Sequence, residues 1–217
     1  MIQALIFDLD GVIIDSEPIH FSIEQQMFKD LKIKLSPEEH SIYVGMSSEN
    51  MWEDIIPKYG LPFCSQELVQ KKHWHYLQYL SRAKNLRPIE GIPFLVRAAY
   101  KNGFKLLVAS SSPHEIIEIV LRKFKLAEYF SASVSGTELP QSKPHPGIFL
   151  KAAKLANTEP ANCLVIEDAE NGVKAAKAAG MKCVGFSNPN SGIQNLKGAD
   201  LIIHSITELN TERIKEF

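Results

Sequence analysis

The stretch Ile6-Phe7-Asp8-Leu9-Asp10-Gly11-Val12-Ile13-Ile14-Asp15-Ser16-Glu17 (IFDLDGVIIDSE) ends an apolar run with two carboxylates and a glycine. Residues 2–7 are apolar almost without alternation, the pattern of a strand buried on both faces of a parallel sheet. Gly11 marks a turn, so Asp8 and Asp10 are expected together at the carboxyl end of that strand. Open α/β sheets hold their ligands there. A surface loop can also carry two acids at this spacing, but the buried strand before them argues against it.

The short apolar pattern returns at residues 104–109, 163–166, 182–186 and, more weakly, 201–203. Helical patterns lie between them at 115–124, 146–155 and 172–179, the last closed by Gly180. Strand and helix in alternation predict an α/β fold built on a doubly wound parallel sheet. The segment 15–88 breaks the rhythm: it holds no convincing buried strand and reads as amphipathic helices at 19–31, 48–59 and 65–80. It is most simply a small all-helical domain inserted after the first strand. Asp15-Ser16-Glu17-Pro18 marks its departure, and Pro88 with Gly91-Ile92-Pro93 its return. The expected division is a core of residues 1–14 and 89–217 and a helical unit of residues 15–88.

The 217 residues are 45% hydrophobic and 23% charged with a formal net charge of -1, so no basic field invites nucleic acid. Cys64, Cys163 and Cys183 are far apart and form no CxxC pair, which points to reduced thiols rather than a disulfide framework or zinc ribbon. The N-terminal apolar run meets Asp8 too soon for a signal peptide, and no apolar run approaches a membrane span. A soluble cytoplasmic protein, working as a monomer without membrane or nucleic-acid partners, is the expectation.

Glu167 and Asp168 repeat the first pattern, directly after an apolar strand and before a turn into an alanine-rich helix. Four carboxyl groups in one crevice repel each other unless a cation neutralises them. Their hard oxygen ligands favour Mg²⁺, which keeps water ligands and accepts a substrate phosphate. Such a metal beside a carboxylate suits phosphoryl transfer. Ser110, after the strand at 104–109, and Lys143, between Ser142 and Pro144, offer a hydroxyl and a fixed positive charge to an anion. Taken alone, a serine in a Ser-Ser-Ser turn and an exposed lysine read as structural.

Together, Asp8-Leu9-Asp10-Gly11, Val108-Ala109-Ser110, Lys143-Pro144 and Glu167-Asp168 resemble the motifs of the haloacid dehalogenase-like hydrolases, in the same order. With a helical insert after the first motif, the chain looks like the subgroup of β-phosphoglucomutases and small-metabolite phosphatases. The resemblance implies a Rossmann-like core with a helical cap and a phosphohydrolase acting on small phosphorylated metabolites, sugar phosphates foremost. It assigns Asp8 as the nucleophile that forms an aspartyl phosphate and Asp10 as general acid and base. It gives Mg²⁺ to Asp8, the backbone carbonyl of Asp10 and Asp168, with Glu167 a further ligand or an orienting group. Ser110 and Lys143 would hold the phosphoryl oxygens.

In that subgroup a cap contributes to the leaving-group site, and Ser16 and His20 match a hinge hydroxyl and a cap histidine. His20 also reads as a solvent-facing helix residue. Tyr43-Val44-Gly45-Met46-Ser47-Ser48 is similar to the cap's substrate loop, which gives Gly45 and Ser47 as substrate-side candidates. True mutases carry an arginine soon after that glycine to grip a second phosphate; Ser47, Ser48 and Glu49 stand here instead. Lys58 and Lys71 are the basic residues open as substitutes. This departure favours the phosphatase and keeps β-phosphoglucomutase activity, interconverting β-glucose 1-phosphate and glucose 6-phosphate, as the alternative.

Trp52, Trp74 and Tyr76 read as cap core at helical spacing, and His73 and His75 lack the spacing of a zinc site. A metal-binding DxD occurs in nucleotide-sugar transferases too, but those do not predict Gly11, Lys143-Pro144 and Glu167-Asp168 together. The chain has no GxxxxGK[ST] and no GxGxxG. A non-catalytic binding module on the same fold is the reading from outside enzymology.

Overall fold

The computed structural model describes residues 1–43 and 46–217. Strand β1 (Ala4–Phe7) leads into four helices: α1 (Glu17–Asp30), α2 (Pro37–Ser41), α3 (Ser48–Tyr59) and α4 (Ser65–Arg82). The alternating part follows as α5 (Ile92–Lys101), β2 (Lys105–Ser110), α6 (His114–Lys123), β3 (Ala132–Ser135), α7 (Gly147–Leu155), β4 (Cys163–Glu167), α8 (Glu170–Ala178), β5 (Lys182–Phe186), β6 (Leu201–Ile203) and α9 (Thr211–Lys215). The chain divides into two compact units, residues 1–15 with 87–217, and residues 16–86.

In the first unit the strands form one all-parallel sheet, in the order β3-β2-β1-β4-β5-β6. Every residue of β1 is buried, which explains its unbroken apolar run. Ala4 and Ile6 join Leu107, Ala109, Val165 and Cys183 on the face covered by α7 and α8. The connections reverse direction between β1 and β4, so a crevice opens beyond the carboxyl ends of these two strands.

Strand β3 escaped the sequence reading because ASVS offers no apolar run; only Val134 and Ser135 are buried. Its place at the sheet edge, with β2 as its single strand neighbour, asks for less apolar surface. Helix α5, also unread, carries an apolar face of Ile92, Leu95, Val96 and Ala99 between two prolines' worth of turn signal and β2.

The second unit is helical throughout its described residues, and its core includes Ile23, Met27, Phe28, Trp52, Ile55, Leu68, Tyr76 and Leu80. Trp52 and Tyr76 are core, as their spacing predicts, but Trp74 is 56% exposed. Trp74 stands two residues from Tyr76, so on a helix the two cannot share the buried face. Among the described residues, no helix is long and apolar enough to cross a membrane.

Candidate active site

Asp8 follows the last residue of β1, and its backbone N–H donates to the Ile166 carbonyl of β4 at 2.9 Å. The pairing Phe7↔Ile166 and Phe7↔Val108 therefore brings Asp8, Glu167 and the end of β2 to one level. Beyond Asp8 the chain folds back sharply: Gly11 donates to the Ile14 carbonyl at 2.8 Å and has φ of +74°. A Cβ on Gly11 would also run into the Asp168 carboxylate. Glycine is required twice here, by the backbone and by the neighbouring acid.

Lys143 enters this acidic end from the segment before α7. Its ammonium donates to Asp8 Oδ1 at 2.5 Å, to Glu167 Oε1 at 2.7 Å and to the Ala109 carbonyl at 3.3 Å. The ammonium also lies 5.1 Å from the centroid of the Phe149 ring on α7. The other Glu167 oxygen accepts the Ala169 N–H at 2.7 Å, so both oxygens of this carboxylate are engaged. Helix α8 carries Gly172 where a Cβ would collide with the Glu167 side chain. The acid is thus packed against helix backbone.

Ser110 is buried, and its hydroxyl accepts the Ser112 N–H at 3.0 Å. Its contact with Asp10 is long, 3.4 Å. Ser112 makes the short one: its hydroxyl donates to Asp10 Oδ2 at 2.6 Å. The sequence reading missed Ser112, although its only signal, the Ser-Ser-Ser turn, was in view. The Ser135 hydroxyl on β3 secures that turn by donating to the Ser112 carbonyl at 2.8 Å. Asp10 Oδ1 is buried with no hydrogen-bond partner among the described residues. Asp168, also buried, accepts a very short hydrogen bond from Ser191.

The Lys143 ammonium pairs with Asp8 and Glu167 at an end of the sheet that also carries Asp10 and Asp168, and the balance is visible in the acidity of Asp8 and Asp168. Burial, with the Glu167 and Asp10 carboxylates, pushes Asp8 up to about 7 against the pull of Lys143. Burial and the charges of Glu167 and Asp8 likewise hold Asp168 well above the usual carboxylate range. For Lys143, Asp8 and Glu167 outweigh burial and raise its pKa. Among the described residues, no three His, Cys, Asp or Glu side chains converge as a ready-made metal cage. Lys143 and the Ala169 N–H engage both oxygens of Glu167, whereas Lys143 takes one oxygen of Asp8, which leaves the other Asp8 oxygen and Asp168. Excess buried negative charge, an orphaned Asp10 oxygen and an all-oxygen donor set fit a hard divalent cation held by two carboxylates plus backbone and water.

In the helical unit, Ser16 is buried and its carbonyl receives the Ile19 and His20 N–H groups at the start of α1. The half-buried His20 ring lies 4.4 Å from the Tyr76 ring. Ser47 is exposed, and its hydroxyl accepts the Asn50 N–H at 3.2 Å as the N-cap of α3. Gly45 lies outside the described residues. Lys58 is paired with Asp54 at 2.5 Å, and Lys71 is exposed.

A family model for haloacid dehalogenase-like hydrolases matches residues 5–186. The β-phosphoglucomutase of Bacillus subtilis (strain 168) is 33% identical over 219 residues, covering 99% of this chain and 94% of the relative. Hexitol phosphatase B of Escherichia coli (strain K12) is 32% identical over 219 residues, covering 97% and 96%. The crystal structure of β-phosphoglucomutase from Clostridium difficile aligns with a TM-score of 0.80 and 29% identity, covering 100% of this chain and 96% of that one. The chain therefore belongs to the haloacid dehalogenase-like hydrolases, in their β-phosphoglucomutase-like subgroup, and is an enzyme of the phosphatase or phosphotransferase type.

Proposed function

We propose that this enzyme hydrolyses small phosphorylated metabolites, sugar phosphates foremost, through an aspartyl phosphate, an acyl phosphate formed on Asp8. The observation that carries the reading is the Lys143 ammonium bridging Asp8 and Glu167, with the Asp10 carboxylate anchored by Ser112 on the adjoining turn. When bound, Mg²⁺ supplies charge neutralisation and polarises the phosphoryl group; Asp8, Asp168 and the Asp10 backbone carbonyl would hold it. Glu167, with both oxygens engaged, keeps Lys143 in place and acts as an orienting group.

Asp8 attacks phosphorus while the bond to the leaving oxygen breaks, and Asp10 gives that oxygen its proton. Asp10 then takes a proton from water as the water attacks the aspartyl phosphate and the bond from phosphorus to Asp8 breaks, releasing inorganic phosphate and restoring the Asp8 carboxylate and the protonated Asp10. Ser112 fixes one Asp10 oxygen, so the partnerless Oδ1 is the one that carries the proton. Lys143 and Ser110 neutralise and hold the phosphoryl oxygens.

The mutase alternative draws on the identity to β-phosphoglucomutases. Against it stand Ser47, Ser48 and Glu49 in place of an arginine, and the engagement of Lys58 by Asp54. The test is phosphate release from a panel of sugar phosphates and nucleotides with Mg²⁺ and with EDTA, beside a coupled assay for conversion of β-glucose 1-phosphate to glucose 6-phosphate. Mg²⁺-dependent release without conversion is expected. Conversion without net release would make the enzyme a mutase, and no turnover on any ester would leave a binding module.

A further inference from the structure

Among the buried polar groups of the first unit, Ser191 has no part in the mechanism above, yet its hydroxyl donates to Asp168 Oδ2 in a very short hydrogen bond. Ser191 follows β5, on a loop that no sequence motif marks. It is 9% exposed, and neighbouring Asn188 is 7% exposed.

The loop is braced on every side. The Ser191 N–H donates to the Asn188 carbonyl at 3.2 Å, and the Ser191 carbonyl accepts Gln194 Nε2 at 2.9 Å. Gln194 Oε1 in turn accepts the Glu170 N–H at 3.0 Å, at the start of α8. Asn188 Nδ2 reaches the Gly11 carbonyl at 3.0 Å, and Asn190 Nδ2 reaches Asp15 Oδ2 at 2.6 Å. A Cβ built on Gly11 would meet both the Asp168 carboxylate and, at 2.9 Å, Ser191 Oγ. The loop thus ties together the two acid-bearing turns, after β1 and after β4.

An aspartate carboxylate turns easily about its last bond, because that torsion has a broad energy profile. A hydroxyl fixed to one oxygen removes this freedom and sets the direction of the other. We propose that Ser191 is a positioning residue for the divalent cation: by holding Asp168 Oδ2 it aims Oδ1 at the metal beside Asp8. Such partners of metal ligands tune affinity without touching the ion. The inference rests on the proposed reading of the site as a cation-dependent one.

The test is Mn²⁺ binding to the full chain freed of metal, followed by the electron paramagnetic resonance signal of the free ion, with Mg²⁺ as competitor. Ser191→Ala and Ser191→Cys, the second keeping the side-chain volume, are each expected to weaken binding roughly tenfold or more, the range for lost partners of metal ligands. Their melting temperatures in EDTA should stay at the wild-type value, and Ser191→Thr, which keeps the hydroxyl, should restore most of the affinity. Wild-type affinity in the alanine or the cysteine variant overturns the proposal, as does a loss of affinity that only tracks a loss of stability in EDTA. Wild-type protein without saturable Mn²⁺ binding would remove the cation from the site and sink both readings together.

Discussion

The two oxygens of Asp10 sit in unlike settings: Oδ2 takes the Ser112 hydroxyl at 2.6 Å, while Oδ1 is buried without a partner. That asymmetry predicts graded losses. Asp10→Asn should lower kcat by at least about a hundredfold, within the usual contribution of general acid–base groups, while cation binding survives. Ser112→Ala should lower kcat by roughly tenfold with KM little changed, since it frees the carboxylate without removing it. Steady-state kinetics on one substrate check both, and wild-type turnover in Asp10→Asn would remove it from the proton-transfer role. Gly172 makes a second residue-scale test. Alanine in a helix is normally favoured over glycine by about 1 kcal/mol, yet here its Cβ would strike Glu167. Gly172→Ala should therefore lower the urea midpoint, and a raised midpoint would show that Glu167 can move aside freely.

At the scale of elements, the helical unit is cross-linked by charge as well as by its apolar core. Glu24 of α1 accepts from His40 of α2 at 2.7 Å and from Lys72 of α4 at 2.5 Å. Lys72 also donates to Ser48 Oγ at the start of α3, at 2.7 Å. The His40 ring, 1% exposed, stacks on Phe21 at 4.2 Å and shares its other nitrogen with Gln25 at 2.9 Å. Breaking a buried pair leaves its partners uncompensated, so Glu24→Gln should cost about 3 kcal/mol at pH 7. Burial resists ionisation of Glu24, but His40 and Lys72 prevail and hold its pKa below the usual 4.5. A carboxylate depressed in the folded state contributes stability above its unfolded pKa and loses it as the pH falls through the folded value. Urea midpoints of wild type and Glu24→Gln should accordingly converge as the pH falls through the folded value, which lies below 4.5. A constant gap down to low pH would show that the charge is not what stabilises the unit.

At the scale of the whole molecule, the net charge of -1 hides a strong local imbalance, four acids against Lys143 at the carboxyl end of the sheet. A cation that binds only the folded state stabilises it by mass action. Mg²⁺ should raise the melting temperature and EDTA should reverse the gain; Asp168→Asn should abolish the response, and an Mg²⁺ response that persists there would remove Asp168 from the cation site. The cysteines give an independent check on the packing. Cys163 and Cys183 lie fully buried in β4 and β5, and burial pushes the Cys163 thiol up to about 11, while Cys64 is exposed. A thiol reagent should titrate one group rapidly in native protein and all three after denaturation. Rapid reaction of all three would contradict the closed sheet.

By itself the sequence determined the α/β class, the buried strands, the helical insert and the short list Asp8, Asp10, Ser110, Lys143, Glu167 and Asp168. Each is a local matter: an apolar run, a glycine after an acid, or a motif whose residues are close in the chain. It could not show β3, whose ASVS has the apolar content of a loop and becomes a strand only through pairing with β2. Nor could it show Ser112 on Asp10, Ser191 on Asp168, or the Glu24-His40-Lys72 network. Those partners are separated by up to 102 residues, as Asp10 and Ser112 are, and meet only when strands align and helices pack. Glu167 is the sharpest case: two roles are open to an acid in that motif, and the fold supplies Lys143 to one oxygen and the Ala169 N–H to the other, which supports the orienting role proposed above. Hydrogen-bond geometry across distant segments fixes what each acid is free to do, and that geometry exists only in the folded chain.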